Sequence, residues 1–507
     1  MIKNLFQYLL SKFLTGVERA GNALPHPATL FALFALLALL FSGLGHWLGW
    51  EAVHPGTEEV IKPVNLISRD GLHKIILNMV ENFTSFAPLG VVLVAMLGIG
   101  IAEGSGLISA VIRALVLSSP RRLLTFIIVL AGILSNIASD VGYVLLIPLA
   151  GSIFLAIGRH PIAGVAAAFA GVSGGYSANL VLGSIDPLLA GLSQEAARIV
   201  DPTYTVNATA NYYFMFASTF FIAFGGTWIT EKLVVPRLGE YKNQQHNEKL
   251  ERLTASEKKG LIGAFITVMI ILALILWGVL PQDGLLRGPG GDILRSPVIE
   301  GIITVIFVIF GATGLVYGIL TGRYTSDAQV MKGMGETMKS LSMYIVLVFF
   351  AAQFVAYFKW SNLGMILAIT GAKTLMATNI GIIPLMILFV IFAASINMLM
   401  GSASAKWAIL APIFIPMFMF MGYSPELSQV VYRIGDSVTN IISPMMSFFA
   451  LIIAFIQKYD PKAGIGTIIS TMLPYTLVFF LMWVILLVFW ILMGLPLGPD
   501  AGLYYSM

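Results

Sequence analysis

Long apolar runs recur along this chain, and they constrain its fold more strongly than any other feature of the sequence. The first covers residues 27–50, and similar runs continue almost to the C-terminal end. A run of about 20 apolar residues crosses a hydrocarbon core of roughly 30 Å as an α-helix. Charged residues make up only 11% of the chain, whereas about 25% is usual in soluble domains. The sequence therefore predicts an all-α polytopic membrane protein.

The apolar runs and the breaks between them predict nine transmembrane helices. These cover residues 27–50, 86–117, 161–190, 209–231, 260–281, 298–320, 338–370, 425–456 and 463–494. Two other regions, 122–157 and 377–421, each consist of two apolar arms joined by a short polar stretch. Backbone groups freed at membrane depth need protein or water partners, so each region predicts a re-entrant helical hairpin. The polar residues near the two hairpin tips include Ser135, Asn136, Asn397, Ser402 and Ser404.

The placement of Lys and Arg predicts the orientation of the chain. The 232–259 loop is rich in basic residues, and the segment 1–26 combines basic residues with apolar positions at helical spacing. Cytoplasmic segments of membrane proteins carry an excess of Lys and Arg. We therefore expect both to be cytoplasmic, with 1–26 as an interfacial amphipathic helix. The two cytoplasmic segments enclose a first half at residues 27–231, and a second half follows at residues 260–507. Each half contains one hairpin, and the two hairpins enter the membrane from opposite sides.

The two halves are predicted to be inverted repeats. Residues recur at a constant offset of 264 positions: Tyr143 with Trp407, Pro148 with Pro412, Gly158 with Gly422, Pro161 with Pro425, Gly171 with Gly435 and Ser173 with Ser437. Proline is about one residue in twenty, so its matches carry more weight than apolar matches. Inverted repeats with broken helices form the binding sites of many secondary transporters. A duplication that serves packing alone is the alternative interpretation.

Asp186, Arg433 and Asp436 are ionisable residues inside predicted membrane segments, next to the helix breaks that follow each hairpin. A charge there costs about 2.5–3.5 kcal/mol on insertion scales, which favours a function in binding or ion coupling. Backbone carbonyls and Asn, Ser and carboxylate oxygens at these breaks are donors that a hard cation such as Na⁺ binds, and helix N-termini there suit an anionic group. The structural alternatives are a helix cap for Asp186 and an i, i+3 ion pair between Arg433 and Asp436.

Residues at the hairpin tips allow more than one interpretation. Trp407 could pack, anchor the chain at the membrane interface, or stack on an aromatic ligand. Asp140 and Lys406 are expected to be hydrated at the tips.

Four blocks of this sequence resemble the AbgT family, the p-aminobenzoyl-glutamate transporters. They are the Ser135-Asn136 tip, the Gly-rich stretch 171–186, the block 396–407 with GSASAKW at its end, and the block 425–437 with RIGDS at its end. The last two are specific, whereas the Gly-rich stretch alone is weak. The resemblance extends over nearly the whole chain.

The resemblance implies a bowl-shaped homodimer in the bacterial inner membrane, with nine transmembrane helices and two hairpins in each protomer. Family members take up p-aminobenzoyl-glutamate or expel sulfonamides, so the expected substrate is an aromatic carboxylate or a sulfonamide. Family positions that line the substrate route or the ion site match Asp186, Asn397, Trp407, Pro425, Arg433 and Asp436. Trp407 would stack on the substrate ring and Arg433 would pair with its polar head. No cofactor is expected beyond Na⁺ or H⁺ as the coupling ion.

Two other classes of membrane protein remain open at this stage. Broken hairpins also line channels. The stretch GVSG at 171–174 matches the nucleophile signature of intramembrane serine proteases, but no later predicted span carries the histidine base that such a serine needs. Nucleic-acid binding is not expected, because cytoplasmic loops account for the basic balance. The direction of transport cannot be predicted from the residues.

Overall fold

The computed structural model describes residues 25–55, 57–137, 141–241, 253–293 and 295–506. The predicted amphipathic helix in 1–26, most of the basic loop and Asp140 therefore lie outside the described residues. The α-helices are α1 (Pro27–Leu48), α2 (Arg69–Thr84), α3 (Ala87–Ser105), α4 (Leu107–Leu117), α5 (Leu124–Ser135), α6 (Ile147–Ala156), α7 (Pro161–Phe169), α8 (Ile185–Ala197), α9 (Tyr212–Ile229), α10 (Val235–Leu238), α11 (Ala255–Val279), α12 (Pro297–Glu300), α13 (Ile302–Thr321), α14 (Asp327–Ser340), α15 (Ser342–Trp360), α16 (Leu363–Ala377), α17 (Ile382–Leu399), α18 (Ala403–Phe420), α19 (Pro425–Asn440), α20 (Phe449–Gln457) and α21 (Ile465–Leu492).

Other regular elements are short. Single π-helical segments cover Gly142–Leu146, Ala170–Gly174 and Thr230–Val234, and one 3₁₀ turn covers Pro289–Gly291. Strands β1 (Ala52–Val53) and β2 (Val60–Ile61) pair antiparallel, with Ala52 opposite Ile61. The fold is therefore all-α, as the sequence predicts.

Nine helical stretches among the described residues are long and apolar enough to cross a membrane. Five predicted spans appear directly as α1, α9, α11, α13 and α21. The arms of the second hairpin, α17 and α18, are also among the nine. The predicted spans 161–190 and 425–456 are broken, so neither forms one continuous helix.

Two predicted spans are wrong as single helices. The span 338–370 divides at Asn362, whose φ of 60° ends α15 and begins α16. The span 86–117 divides at Gly106, whose φ of 82° separates α3 from α4. Asn and Gly accept left-handed backbone more readily than other residues, which is why the helices break there.

The repeat is visible in the backbone of both hairpins. α5 and α6 form the first hairpin, and α17 and α18 form the second. Each ends at a left-handed glycine, Gly158 with φ 79° and Gly422 with φ 85°. The matching prolines Pro161 and Pro425 then begin α7 and α19, since proline is favoured in the first helical turn.

A second matched glycine pair explains how each hairpin packs. A Cβ on Gly171 would lie 2.3 Å from the carbonyl oxygen of Val129 in α5. A Cβ on Gly435 would lie 2.5 Å from the carbonyl oxygen of Val390 in α17. In each repeat, the first arm of the hairpin therefore approaches the following helix so closely that only glycine fits.

Candidate functional site

A buried asparagine near each hairpin tip holds that tip against the broken helix of the same repeat. Asn136 Nδ2 donates to the Val172 carbonyl at 3.0 Å, and Asn397 Nδ2 donates to the Asp436 carbonyl at 2.6 Å. Val172 and Asp436 are 264 residues apart, so the two acceptors are equivalent in the repeats. The structure thus brings both predicted tip asparagines into matching positions.

The helix that follows each hairpin is interrupted at equivalent points. After the π-helical segment at Ala170–Gly174, regular helix does not resume until α8 begins at Ile185. In the second repeat, α19 ends at Asn440 and α20 begins at Phe449. Ile185 and Phe449 are again 264 residues apart. Each interruption frees backbone groups beside a hairpin tip.

A cavity of about 160 Å³ lies where the two tips and the two interruptions meet. Its lining residues are Asn136, Tyr143, Tyr176, Ser184, Gly401, Ala403, Asn440, Met446, Ser447 and Phe448. Tyr176 matches Asn440, and Ser184 matches Phe448, at the repeat offset. The cavity, called the tip cavity below, therefore receives equivalent positions from both repeats.

Helix ends of both polarities line the tip cavity. Ser184 and Phe448 directly precede α8 and α20, and Ala403 is the first residue of α18. Helix N-termini carry partial positive charge and favour anions. Asn136 and Asn440 stand at the C-terminal ends of α5 and α19, where partial negative charge favours cations. This arrangement can accommodate an anionic group and a cation close together.

The aromatic wall of the tip cavity joins the two repeats. The rings of Tyr143 and Phe448 are stacked, with centroids 4.4 Å apart and planes at 12°. An apolar cavity of about 150 Å³ is large enough for benzene. By volume, the tip cavity can therefore hold one aromatic ring, and its lining mixes aromatic with polar side chains.

Arg433 forms a buried ion pair with Asp186, which joins α19 to α8. Arg433 Nη1 lies 2.7 Å from Asp186 Oδ1, and the side chains are 3% and 1% exposed. Asp186 Oδ2 also accepts a hydrogen bond of 2.7 Å from the Gly183 N–H. The pairing of Arg433 with Asp436 does not form, because each side chain has a different partner.

Asp436 pairs with Lys406, and this pair lies beside Asn397. Lys406 Nζ is 2.5 Å from Asp436 Oδ1, and the side chains are 1% and 2% exposed. The same ammonium donates to Asn397 Oδ1. The expectation that Lys406 is hydrated at the tip is wrong, since its side chain is enclosed by α17 and α19.

Trp407 is fully buried in this conformation. Its ring stacks on Tyr432, with centroids 4.4 Å apart and planes at 23°. Its Nε1–H donates to Ser193 Oγ at 2.9 Å, and Ser193 Oγ donates in turn to Gln429 Oε1 at 2.6 Å. In this conformation Trp407 therefore packs inside the protein, which is one of the three roles predicted for it.

The remaining predicted residues have local structural contacts. Ser135 Oγ donates to the Gly132 carbonyl at 2.6 Å. Ser402 caps α18 by accepting from Ala405 N–H at 3.4 Å, and its hydroxyl lies 3.3 Å from that of Ser404. Pro425 begins α19.

Asn136 is the only one of the predicted substrate, ion and tip residues among the residues that line the tip cavity in the described chain. Tyr176 and Phe448 line the cavity but were not predicted from the sequence to do so. Both follow the Gly- or Pro-containing stretch at a predicted helix break, which is the signal that could have found them.

The predicted cation ligands divide into two sets. Asn397 and Asp436 already direct oxygens at a monovalent cation, the Lys406 ammonium, and such hard oxygen donors also suit Na⁺. Asp186 is engaged by Arg433 instead. Among the described residues, no group of three His, Asp or Glu side chains converges on a metal position.

Comparisons with known proteins agree with this architecture. A sequence model of the AbgT putative transporter family matches residues 12–505. The p-aminobenzoyl-glutamate transport protein of Escherichia coli (strain K12) is 39% identical over 491 residues, which is 96% of each chain.

Two solved structures are similar over nearly the whole chain. The Alcanivorax borkumensis YdaH transporter, described as having an unusual topology, is 48% identical, with a TM-score of 0.89, and the match covers 94% of this chain and 100% of that one. Neisseria gonorrhoeae MtrF, described as illuminating a class of antimetabolite efflux pumps, is 50% identical, with a TM-score of 0.90, and the match covers 96% of this chain and 100% of that one.

Proposed function

This chain belongs to the AbgT transporter family, and on that premise we propose that it is a secondary active transporter of p-aminobenzoyl-glutamate and related aromatic carboxylates. The family and its relatives are transporters and not enzymes. The protease interpretation of the GVSG motif is therefore wrong. Ser173 Oγ is buried and has no hydrogen-bond partner among the described residues, whereas a nucleophilic serine needs a base within reach.

The tip cavity is the observation that carries this proposal. It is large enough for an aminobenzoyl ring, and the stacked rings of Tyr143 and Phe448 offer that ring an aromatic wall. The N-terminal ends of α8, α18 and α20 favour the carboxylate groups of such a ligand. Equivalent positions from two repeats line the cavity, which suits a site that opens alternately to either side.

Sulfonamide antimetabolites are a second proposed cargo, moved out of the cell. They mimic p-aminobenzoate, with an aromatic ring and a polar head of similar size. The likeness to MtrF, which is described as belonging to a class of antimetabolite efflux pumps, supports this cargo.

The setting of the transporter is proposed on the same grounds. We place it in the bacterial inner membrane with a cytoplasmic N-terminus, because the 232–259 loop is rich in Lys and Arg. A gradient of H⁺ or Na⁺ drives transport in this proposal. The homodimer that the family resemblance implies is part of it as well.

The other predicted site residues act in a different conformation of the transport cycle. Trp407 and Arg433 reach a ligand only after the stack on Tyr432 and the ion pair with Asp186 open. Asp186 and Asp436 are the carboxylates available for ion coupling, and Asn397 adds an amide oxygen beside Asp436.

Filling the tip cavity tests the proposal. Ser184→Phe places a ring in the cavity, and uptake of p-aminobenzoyl-glutamate into proteoliposomes is expected to fall at least tenfold. Ser395→Phe, on an exposed face of α17, is the matched control and is expected to transport normally. Normal uptake by a well-folded Ser184→Phe protein would contradict the proposed site.

A further inference from the structure

The Lys406 side chain is a cation that the fold holds in place with oxygen ligands. Its ammonium is fully buried and contacts a carboxylate oxygen of Asp436 at 2.5 Å. It also donates to the amide oxygen of Asn397. A carboxylate and an amide oxygen are the donors that a hard cation such as Na⁺ takes. The ammonium therefore occupies a position with the chemistry of a cation site.

The orientation of the Asn397 amide is determined by its other contacts. Its Nδ2 shares two hydrogens among three acceptors, the Asp436 carbonyl at 2.6 Å, Thr439 Oγ1 at 2.9 Å and Asn440 Oδ1 at 2.9 Å. These groups accept hydrogen bonds, so the amide nitrogen belongs on their side. The Asn397 oxygen must then point at Lys406. The direction of the Asn397 oxygen is thus set by contacts with α19, and the second oxygen belongs to Asp436 on that same helix.

The first repeat has the same tip contact, although no ion pair stands at the two matching positions. Asn136 donates to the Val172 carbonyl just as Asn397 donates to the Asp436 carbonyl. The positions that match Lys406 and Asp436 at the repeat offset are Gly142 and Val172, which carry no charge. Holding a hairpin tip against its broken helix therefore does not require the ion pair.

Burying two charges is costly, and an apolar replacement of such a pair is often neutral or stabilising. The first repeat holds its hairpin tip without such an ion pair. Because the pair in the second repeat is costly and is not needed for that contact, we expect it to have a function. Asp436 is a proposed ion-coupling residue, so a cation tethered to it competes with a mobile one.

We propose that Lys406 is a tethered competitor for Na⁺ at the oxygens of Asn397 and Asp436, and that it thereby sets the affinity of the transporter for Na⁺. This inference rests on the proposed transport function. When the ammonium is present, Na⁺ must displace it to reach Asp436. When the ammonium is removed, the same oxygens are available and the carboxylate lacks a counter-charge.

The test compares Na⁺ binding in the full-length protein with and without the lysine charge. The melting temperature of purified protein is measured against NaCl, with choline chloride keeping the ionic strength constant. Lys406→Met is expected to show a Na⁺-specific rise of about 2 °C or more, with a half-maximal concentration at least tenfold lower than in the wild type. Lys406→Met with Asp436→Asn is expected to lose that rise.

Two results would overturn the proposal. One is a Lys406→Met protein with the same or weaker Na⁺ response than the wild type. The other is a gained Na⁺ response that persists when Asp436→Asn is added. If Lys406→Met is not recovered in folded form, Lys406→Gln replaces it with the same two outcomes. The melting measurements need no substrate, so an absence of p-aminobenzoyl-glutamate flux would count only against the proposed function.

Discussion

Replacing Asp186 by asparagine removes one charge from a buried ion pair that joins the two repeats. Asp186→Asn keeps the size of the side chain and an oxygen that can accept from the Gly183 N–H. What it removes is the counter-charge of Arg433, whose Nη1 lies 2.7 Å from the carboxylate. The change therefore isolates the energetic effect of an uncompensated buried guanidinium.

The expected loss is large because both side chains are almost fully shielded from solvent. With exposures of 3% and 1%, removal of one partner is expected to lower the free energy of unfolding by about 3–5 kcal/mol. Glu195→Gln, on the same helix, is the matched control. Its ion pair with Arg198 is 3.3 Å long and partly exposed, and such pairs contribute roughly 0–1 kcal/mol.

Denaturant unfolding of the full-length protein in detergent micelles measures both variants. Adding Arg433→Met to Asp186→Asn removes the orphaned charge and is expected to recover part of the loss. An Asp186→Asn protein within about 1 kcal/mol of the wild type would refute the reasoning. So would a double variant whose losses simply add.

Substitutions at two further positions, Gly171 and Trp407, test the packing around the site. Gly171→Ala places a Cβ against the Val129 carbonyl and is expected to cost about 1–3 kcal/mol of unfolding free energy in the same assay; Gly335→Ala, which meets no neighbour within 4 Å, is the control and should be neutral or slightly stabilising. Trp407→Phe keeps a stacked ring but loses the hydrogen bond to Ser193, for a loss of about 1 kcal/mol. Trp407→Ala should lose about 3–5 kcal/mol. Equal losses for the two Trp407 variants would show that ring packing contributes little.

The hairpins and the repeat could be predicted from sequence because Gly and Pro specify backbone geometry directly. Gly158 and Gly422 are matched in sequence, and both adopt left-handed φ values of 79° and 85°. Pro161 and Pro425 are matched, and both begin helices. Gly and Pro restrict the backbone through their own covalent structure, so their conformation can be predicted without knowing the tertiary contacts.

The breaks at Gly106 and Asn362 could not be placed from hydropathy. Apolar residues continue on both sides of each break, so the run reads as one span. The helices α2 and α14 were missed for the opposite reason. They carry charged residues along their length, and their apolar positions do not form a continuous run.

The ion pairs could not be predicted because their partners are distant in the chain. Spacing on one helix suggested that Arg433 pairs with Asp436. In the fold, α8 brings Asp186 to Arg433, and α18 brings Lys406 to Asp436. Only the packed arrangement decides between such partners. The same holds for Lys406, whose position near a hairpin tip suggested hydration.

The central claim is that this chain couples the movement of an aromatic carboxylate to an ion gradient. Flux of p-aminobenzoyl-glutamate into proteoliposomes tests it most directly, with H⁺ and Na⁺ gradients imposed separately and in both orientations. We expect a saturable flux that accumulates the compound against its own gradient under at least one ion gradient. A flux that rises linearly with concentration and ignores both ion gradients would contradict it and indicate a channel.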